Sequence, residues 1–163
     1  LLRPAIASVG MVVERIVSGG QTGVDRAALD VALEAGLPCG GWCPKGRGAE
    51  DGVLPSRYPL KETPSAEYAQ RTTWNVRDTD GTLILTVGPA TGGTAQTIED
   101  ASRLRKPHLV IDLAARPDPA FVRAWIGTHQ IRVLNVAGPR ERKCPGIWAQ
   151  ATHFLRRLLT DAL

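Results

Sequence analysis

Short apolar runs alternate with stretches of helical periodicity along the chain, and this alternation constrains the fold more than any other feature. Runs typical of strands cover residues 12–18, 38–43, 82–87, 108–113 and 131–136. Helical periodicity covers residues 24–35, 65–76, 119–128 and 147–162, and a further helix is expected between the turn at residues 88–94 and residue 105. Strands joined by helices pair in parallel, with the helices packed on the sheet. The sequence therefore predicts an α/β fold with a mainly parallel sheet.

The length fits one domain. The chain has 163 residues, of which 43% are hydrophobic and 22% are charged, as in ordinary globular proteins. Residues 1–10 precede the single methionine, Met11, and we expect them to be an extension outside a domain that spans residues 11–163. No apolar run approaches the roughly 18 residues of a membrane span. We expect a soluble, cytoplasmic protein.

Neither the cysteines nor the histidines have the spacing of a metal site. Cys39 and Cys43 are separated by three residues, rather than by the two residues of C-x-x-C sites, and Cys144 lies far from both in the sequence. We expect free thiols, with Cys39 and Cys43 on the same face of one strand. The three histidines show no ligand spacing either, so protein-bound zinc is not expected.

Basic residues exceed acidic residues by 20 to 16, and the isoelectric point is near 9.3, which favours an anionic partner. Nucleic acid would account for this charge, but no stripe of interleaved aromatic and basic residues supports such binding. We therefore expect an anionic, phosphate-bearing small molecule as the partner.

Glycine-rich turns follow three of the predicted strands, at residues 19–23, 88–94 and 138–146, and each opens a helix. In parallel sheets, ligands bind beyond the carboxyl ends of the strands, where glycines let backbone N–H groups close on an anion. The first turn has the spacing G-G-x-x-G and no following lysine, so it is neither a dinucleotide fingerprint nor a triphosphate P-loop. Together the three turns predict a phosphate or oxyanion site.

Two of these turns supply the predicted binding residues. The first is expected to cradle a phosphate, with the Thr22 hydroxyl as an added donor; its residues are Gly19, Gly20, Gln21, Thr22 and Gly23. Gly92, Gly93 and Thr94 are expected to close a second anion subsite. On this interpretation, Gly20→Val would block the ligand and leave the fold intact.

Charged residues complete the predicted site. The loop after residue 43 contains Lys45 and Arg47, which could fold over the ligand as a cationic lid, and Arg140 could reach it from the third turn. Asp25 lies in the first turn of a predicted helix, where capping and ligand contact are both open interpretations. Glu50 is expected to fix the long loop or to bind the amino edge of a ligand.

Five strings resemble the molybdenum cofactor carrier family, which belongs to the Rossmann-like SLOG superfamily. They are SGGQTGVDRAALD at residues 18–30, GWCPKGRGAEDG at 41–52, RTTWNVRDTDGTLIL at 71–85, GGTAQT at 92–97 and LNVAGPRE at 134–141. The resemblance implies a single-domain, Rossmann-like three-layer sandwich that forms a homo-oligomer, a dimer or a tetramer. It further implies that the carried ligand is molybdenum cofactor (molybdopterin), and that molybdoenzymes are the transfer partners.

The same superfamily includes phosphoribohydrolases that cleave nucleoside 5′-monophosphates and share the motif P-G-G-x-G-T-x-x-E. Gly92, Gly93 and Glu99 match that motif here, whereas Ala95 and Gln96 replace its third glycine and its threonine. Glu99 is thus the one catalytic candidate, either facing the crevice or lying on the surface. Because the motif around it is altered, we expect a carrier without catalytic residues, with the hydrolase as the alternative.

Overall fold

The computed structural model describes residues 12–160, so the extension predicted at residues 1–10 lies outside the described residues. The strands are β1 (Arg15–Val17), β2 (Cys39–Gly40), β3 (Trp42–Cys43), β4 (Gly48–Ala49), β5 (Gly52–Val53), β6 (Lys61–Glu62), β7 (Gly81–Thr86), β8 (His108–Asp112) and β9 (Val133–Ala137). The helices are α1 (Val24–Glu34), α2 (Tyr68–Arg77), α3 (Gly92–Arg103), α4 (Pro119–Thr128) and α5 (Ile147–Thr160), with a 3-10 turn at Leu113–Ala115.

The central sheet has five parallel strands in the order β2-β1-β9-β7-β8, which confirms the predicted α/β fold. Every residue of β7 is buried, as its apolar sequence indicates for a central strand. Leu83 and Leu85 point into a core shared with α1, α4 and α5, while Ile84, which lies between them, is buried outside that cluster. Helices α2 and α3 contact each other and cover this second side, so the domain is a three-layer sandwich.

The order of the strands determines where the loops after them meet. The chain runs from β1 through α1 to β2 at one edge of the sheet, and from β7 through α3 to β8 at the other edge. Strand β9 lies between β1 and β7. The chain therefore changes direction at the centre of the sheet, and the loops that leave β1, β9 and β7 meet at one crevice.

The segment after α1 differs from its prediction. The prediction of a single strand at residues 38–43 is wrong, because the chain turns at Gly41, where φ is 129°. Glycine is required there, since a Cβ would lie 2.5 Å from the Ser18 carbonyl oxygen. Strand β2 stays in the central sheet, whereas β3 pairs with β6 in a separate two-stranded sheet. Cys39 and Cys43 consequently lie on strands of different sheets.

The long loop at residues 44–59 is also more regular than expected. It contains the antiparallel hairpin β4–β5 and packs on α1 through a small apolar cluster. This satellite core consists of Leu29, Cys43, Leu54, Tyr58 and Leu60. Within residues 12–160, no helix has the length and apolar character that crossing a membrane requires.

Candidate functional site

A crevice of about 290 Å³ lies at the carboxyl ends of β1, β7 and β9. Its walls come from the loops after these three strands, from the first turns of α3, and from one side of α2. This is the position at which a parallel sheet of this topology binds ligands. The predicted residues that line it are Gly19, Gln21, Asp25, Gly92, Gly93, Thr94 and Arg140.

The residues of the first glycine turn do not all face the crevice: Gly19 lines it, whereas Gly20 lies against the satellite core. A Cβ on Gly19 would lie 2.9 Å from Arg71 Nη1 and 3.0 Å from Asp25 Oδ2, so glycine is needed where these two charged groups meet the backbone. Gly20 has a φ of 82°, and its Cβ would lie 2.7 Å from Leu60 Cδ1 in the satellite core. The expectation that Gly20→Val would leave the fold intact is therefore wrong, since the side chain would enter the core instead of the crevice.

Thr22 and Gly23 also point away from the crevice. The Thr22 hydroxyl donates to the Glu50 carboxylate and accepts from the Glu141 N–H at 3.0 Å, so it is used within the protein. Gly23 packs against the loop after β9, where a Cβ would lie 2.3 Å from the Pro139 carbonyl oxygen. These residues join the turn after β1 to Glu50 and to the loop after β9.

The predicted cationic lid does not lie at the crevice. The Arg47 guanidinium donates to four carbonyl oxygens, at 2.9–3.4 Å, and these belong to Leu54, Pro55, Tyr58 and Leu60. Lys45 is exposed and is absent from the crevice lining. Arg47 therefore holds the satellite segment together, whereas Arg140 lines the crevice and lies 3.4 Å from the Glu50 carboxylate.

The start of α3 is an open helix N-terminus within the crevice. Its N-cap residue, Thr91, makes no side-chain capping bond, and the N–H groups of Gly92 and Gly93 donate to no residue that the structure describes. Lys143 Nζ would lie 2.8 Å from a Cβ on Gly92, whereas the space beside Gly93 is empty to 4 Å. Free N–H groups, the helix dipole and a lysine together favour an anion.

Arg71 is a site residue that the sequence analysis missed. It is 7% exposed, lines the crevice from α2, and donates from Nη1 to the Gly19 carbonyl oxygen at 2.7 Å. Tyr68, Thr72 and Asn75 line the same wall. Their spacing along the helix places Arg71 and these three polar side chains on one face of α2, and this pattern was the available signal.

Gln21 carries a buried donor without a partner. Its side-chain oxygen accepts from the N–H groups of Thr22 at 3.0 Å and Glu50 at 2.8 Å, which fixes the orientation of the amide. Gln21 is only 6% exposed, and its Nε2 is buried without a hydrogen-bond partner among the described residues. Leaving such a donor unsatisfied costs about 1–3 kcal/mol. Because protein atoms cover Nε2, it is not itself a contact for a ligand.

Asp25 is a buried carboxyl in the same wall. Burial raises the pKa of Asp25 from 3.8 to about 6, and the Arg71 guanidinium offsets part of this rise. Asp25 Oδ2 accepts from the Gln21 N–H at 3.3 Å. Asp25 lines the crevice from the first turn of α1, and its contact with a ligand stays a prediction.

We expect Asp25→Asn to stabilise the protein above pH 6 by up to about 3 kcal/mol, since 1.36 kcal/mol corresponds to one pKa unit. The folded state holds the Asp25 proton more tightly than the unfolded state, so ionisation opposes folding fully above pH 6 and not at all below about pH 4. The gain should therefore vanish as the pH falls to 4. Urea unfolding between pH 4 and 8 measures it.

Asp51→Asn is the matched control. Asp51 pairs with Arg26 at 3.0 Å, and this pairing lowers its pKa, so its removal should destabilise at neutral pH. A gain from Asp25→Asn that is the same at pH 4 and pH 8 would contradict the account of Asp25.

Two of three comparisons relate the chain to known proteins. Residues 16–159 match the circularly permutated YpsA SLOG family. A similar solved structure, at 1.45 Å resolution, is that of the "Putative molybdenum carrier protein" from Syntrophus aciditrophicus SB. The two chains share 44% sequence identity with a TM-score of 0.90, over 93% of this chain and 98% of the other. No match was found among curated proteins.

Proposed function

The chain belongs to the circularly permutated YpsA SLOG family, and from this premise we propose that it carries a phosphate-bearing pterin, the molybdenum cofactor, in the crevice. The family resemblance predicted from the sequence is confirmed. The similar structure is named as a molybdenum carrier, which supports the same class of ligand for this chain.

One observation carries the proposal: the unsatisfied donors of the site converge on a single crevice. The N–H groups of Gly92 and Gly93 at the start of α3 lack acceptors among residues 12–160, and Arg71 and Lys143 line the same crevice. A ligand with a phosphate and a polar heterocycle offers acceptors to all of them. The volume of about 290 Å³ suits a partly enclosed small molecule.

The proposal concerns the phosphate and the ring of the ligand. In the described part of the chain, no group of three or more His, Cys, Asp or Glu side chains is placed to hold a metal ion. We treat molybdenum as part of the cargo.

Calorimetric titration with inorganic phosphate tests the anion site. We expect saturable binding at one site per chain, weakened by added salt because the contacts are electrostatic. An absence of phosphate binding at low ionic strength would contradict the proposal.

We expect no release of base from adenosine or guanosine 5′-monophosphate. Glu99, the carboxylate that matches the hydrolase motif, is exposed on α3 and does not line the crevice. Its neighbour Asp100 is buried and bonded to Thr73 at 2.8 Å, so the helix turns Glu99 outwards. Chromatography for free base checks this. Rapid release that disappears in Glu99→Gln would favour the hydrolase, and release that disappears in Asp25→Asn would assign hydrolysis to the crevice carboxyl.

A further inference from the structure

We propose that Glu50, in the turn of the hairpin β4–β5, is a positioning residue that fixes the loop after β9 beside the crevice. The inference rests on the proposed function, because this loop carries Arg140 and Lys143, two of the cations that line the crevice. Glu50 does not belong to the described residues that line the crevice. It would therefore act on the ligand only through the loop.

The Glu50 carboxylate joins three segments of the chain. Its Oε2 accepts from the Thr22 hydroxyl, in the turn after β1, and from the Arg142 N–H at 3.0 Å. Its Oε1 lies 3.4 Å from Arg140 Nε. The side chain is only 9% exposed, and a carboxylate so buried is costly unless donors satisfy it. The hairpin, the turn after β1 and the loop after β9 thus share one buried group.

The loop after β9, residues 138–146, depends on such anchors because it forms neither helix nor strand. Two consecutive N–H groups of this loop bond to side chains of other segments. The Glu141 N–H donates to the Thr22 hydroxyl at 3.0 Å, and the Arg142 N–H donates to Glu50. Both crevice-lining cations of the loop flank these two residues, so the anchors set where the backbone presents them.

The charge of Glu50 predicts the opposite effect from its position. By charge alone, a carboxylate beside Arg140 would repel an anion and compete for the guanidinium, so its removal would strengthen anion binding. If Glu50 positions the loop, its removal weakens anion binding instead. A role in stability alone would change the free energy of unfolding and leave the affinity of the folded protein unchanged.

Glu50→Ala removes both oxygens and leaves the Thr22 hydroxyl and the Arg142 N–H without this acceptor. We expect the affinity for inorganic phosphate, measured by calorimetry on the folded variant, to fall at least about tenfold. This is the loss of one charge-assisted hydrogen bond between a crevice cation and the anion.

Glu50→Gln is the conservative variant. Two donors meet at Oε2 and one at Oε1, so the amide oxygen is expected to take the Oε2 position and to keep both anchoring bonds. The variant loses the charge but keeps the position of the loop. We therefore expect it to bind phosphate at least as tightly as the wild-type protein.

Asp51→Ala is the matched control. Asp51 follows Glu50 in the same turn, but it pairs with Arg26 of α1 at 3.0 Å. The variant removes a negative charge and an ion pair from the hairpin, so it should lower the stability and should not lower the affinity for phosphate.

Limited trypsin digestion tests the position of the loop without any ligand, since the loop contains Arg140, Arg142 and Lys143. We expect cleavage after these residues to be at least about tenfold faster in Glu50→Ala, because cleavage follows the fraction of molecules in which the loop is open. Cleavage in Glu50→Gln and Asp51→Ala should match the wild-type protein. Arg105 is exposed outside the loop, and cleavage after it reports unfolding elsewhere in the domain.

Four results would overturn the proposal. They are unchanged or higher phosphate affinity in folded Glu50→Ala, an equal loss in Glu50→Gln, an equal loss in Asp51→Ala, and unchanged cleavage of the loop in Glu50→Ala. If Glu50→Ala does not fold, Thr22→Val replaces it, since the Thr22 hydroxyl bonds to both Glu50 and the Glu141 N–H. Wild-type affinity and wild-type cleavage in Thr22→Val would then overturn the proposal.

The two readouts separate this inference from the proposed function. Wild-type protein that binds no phosphate would contradict the proposed function, and the cleavage rates would still decide whether Glu50 fixes the loop. Phosphate binding that no Glu50 substitution weakens would contradict only this inference.

Discussion

Arg71→Met is expected to lower the affinity for phosphate by at least about 30-fold and to destabilise the protein by about 2–3 kcal/mol near pH 7. The affinity falls because a buried cation is lost from the wall of the crevice, and such losses cost about 2 kcal/mol or more. The stability falls because the Arg71 guanidinium offsets the burial of Asp25 and donates to the Gly19 carbonyl oxygen. Calorimetry and urea unfolding measure the two effects.

The pH dependence shows how much of the destabilisation by Arg71→Met acts through Asp25. Without the guanidinium, the pKa of Asp25 should rise above 6, so part of the destabilisation should disappear at low pH and in the double variant with Asp25→Asn. Arg77→Met is the control on the same helix, since Arg77 is exposed and pairs with Asp78. Phosphate affinity that is equal in the Arg71→Met and Arg77→Met variants would exclude Arg71 from the site.

Gly93→Val is expected to remove ligand binding and to change the free energy of unfolding by no more than about 1 kcal/mol. A Cβ on Gly93 meets nothing within 4 Å and Gly93 lines the crevice, so the valine would occupy the space of the anion. The substitution lies in the first turn of α3, where replacing glycine costs the helix little. We expect a loss of about 100-fold in phosphate affinity, roughly 2.7 kcal/mol, because the valine would exclude the anion from the N–H groups at the start of α3.

Gly48→Val is the control for Gly93→Val. Gly48 lies in β4, outside the crevice, and its Cβ position is equally open. This variant should bind phosphate as the wild-type protein does. Retained affinity in a folded Gly93→Val variant would mean that the anion lies elsewhere.

The central sheet could be predicted because its strands are apolar and long enough to show a pattern. Strand β7 is six residues of buried sequence, and the loops after β1, β7 and β9 were predicted to share one edge. Strands β3 to β6 have two residues each, which is too short for any periodicity to appear. Strand β3 packs against α2 and, through Cys43, against Leu29 of α1, and both contacts are distant in sequence.

The site could be predicted at the level of loops but not of side chains. Gly20 and Gly23 have positive φ values, and the Thr22 side chain between them is directed towards Glu50. On α3, exposed Glu99 and buried Asp100 are consecutive residues, which a helix rotates by about 100° relative to each other. Arg71 enters the site from a helix, so a search restricted to the loops after strands could not find it.

The central claim is tested most directly by native mass spectrometry of protein purified from an expression host that makes molybdenum cofactor. We predict a complex of the chain with a phosphate-bearing pterin, whose fluorescence appears after release and oxidation, and we predict the bare chain for Gly93→Val prepared in parallel. The same pterin on Gly93→Val and on the wild-type protein, or an ordinary nucleotide as the only bound molecule, would contradict the account.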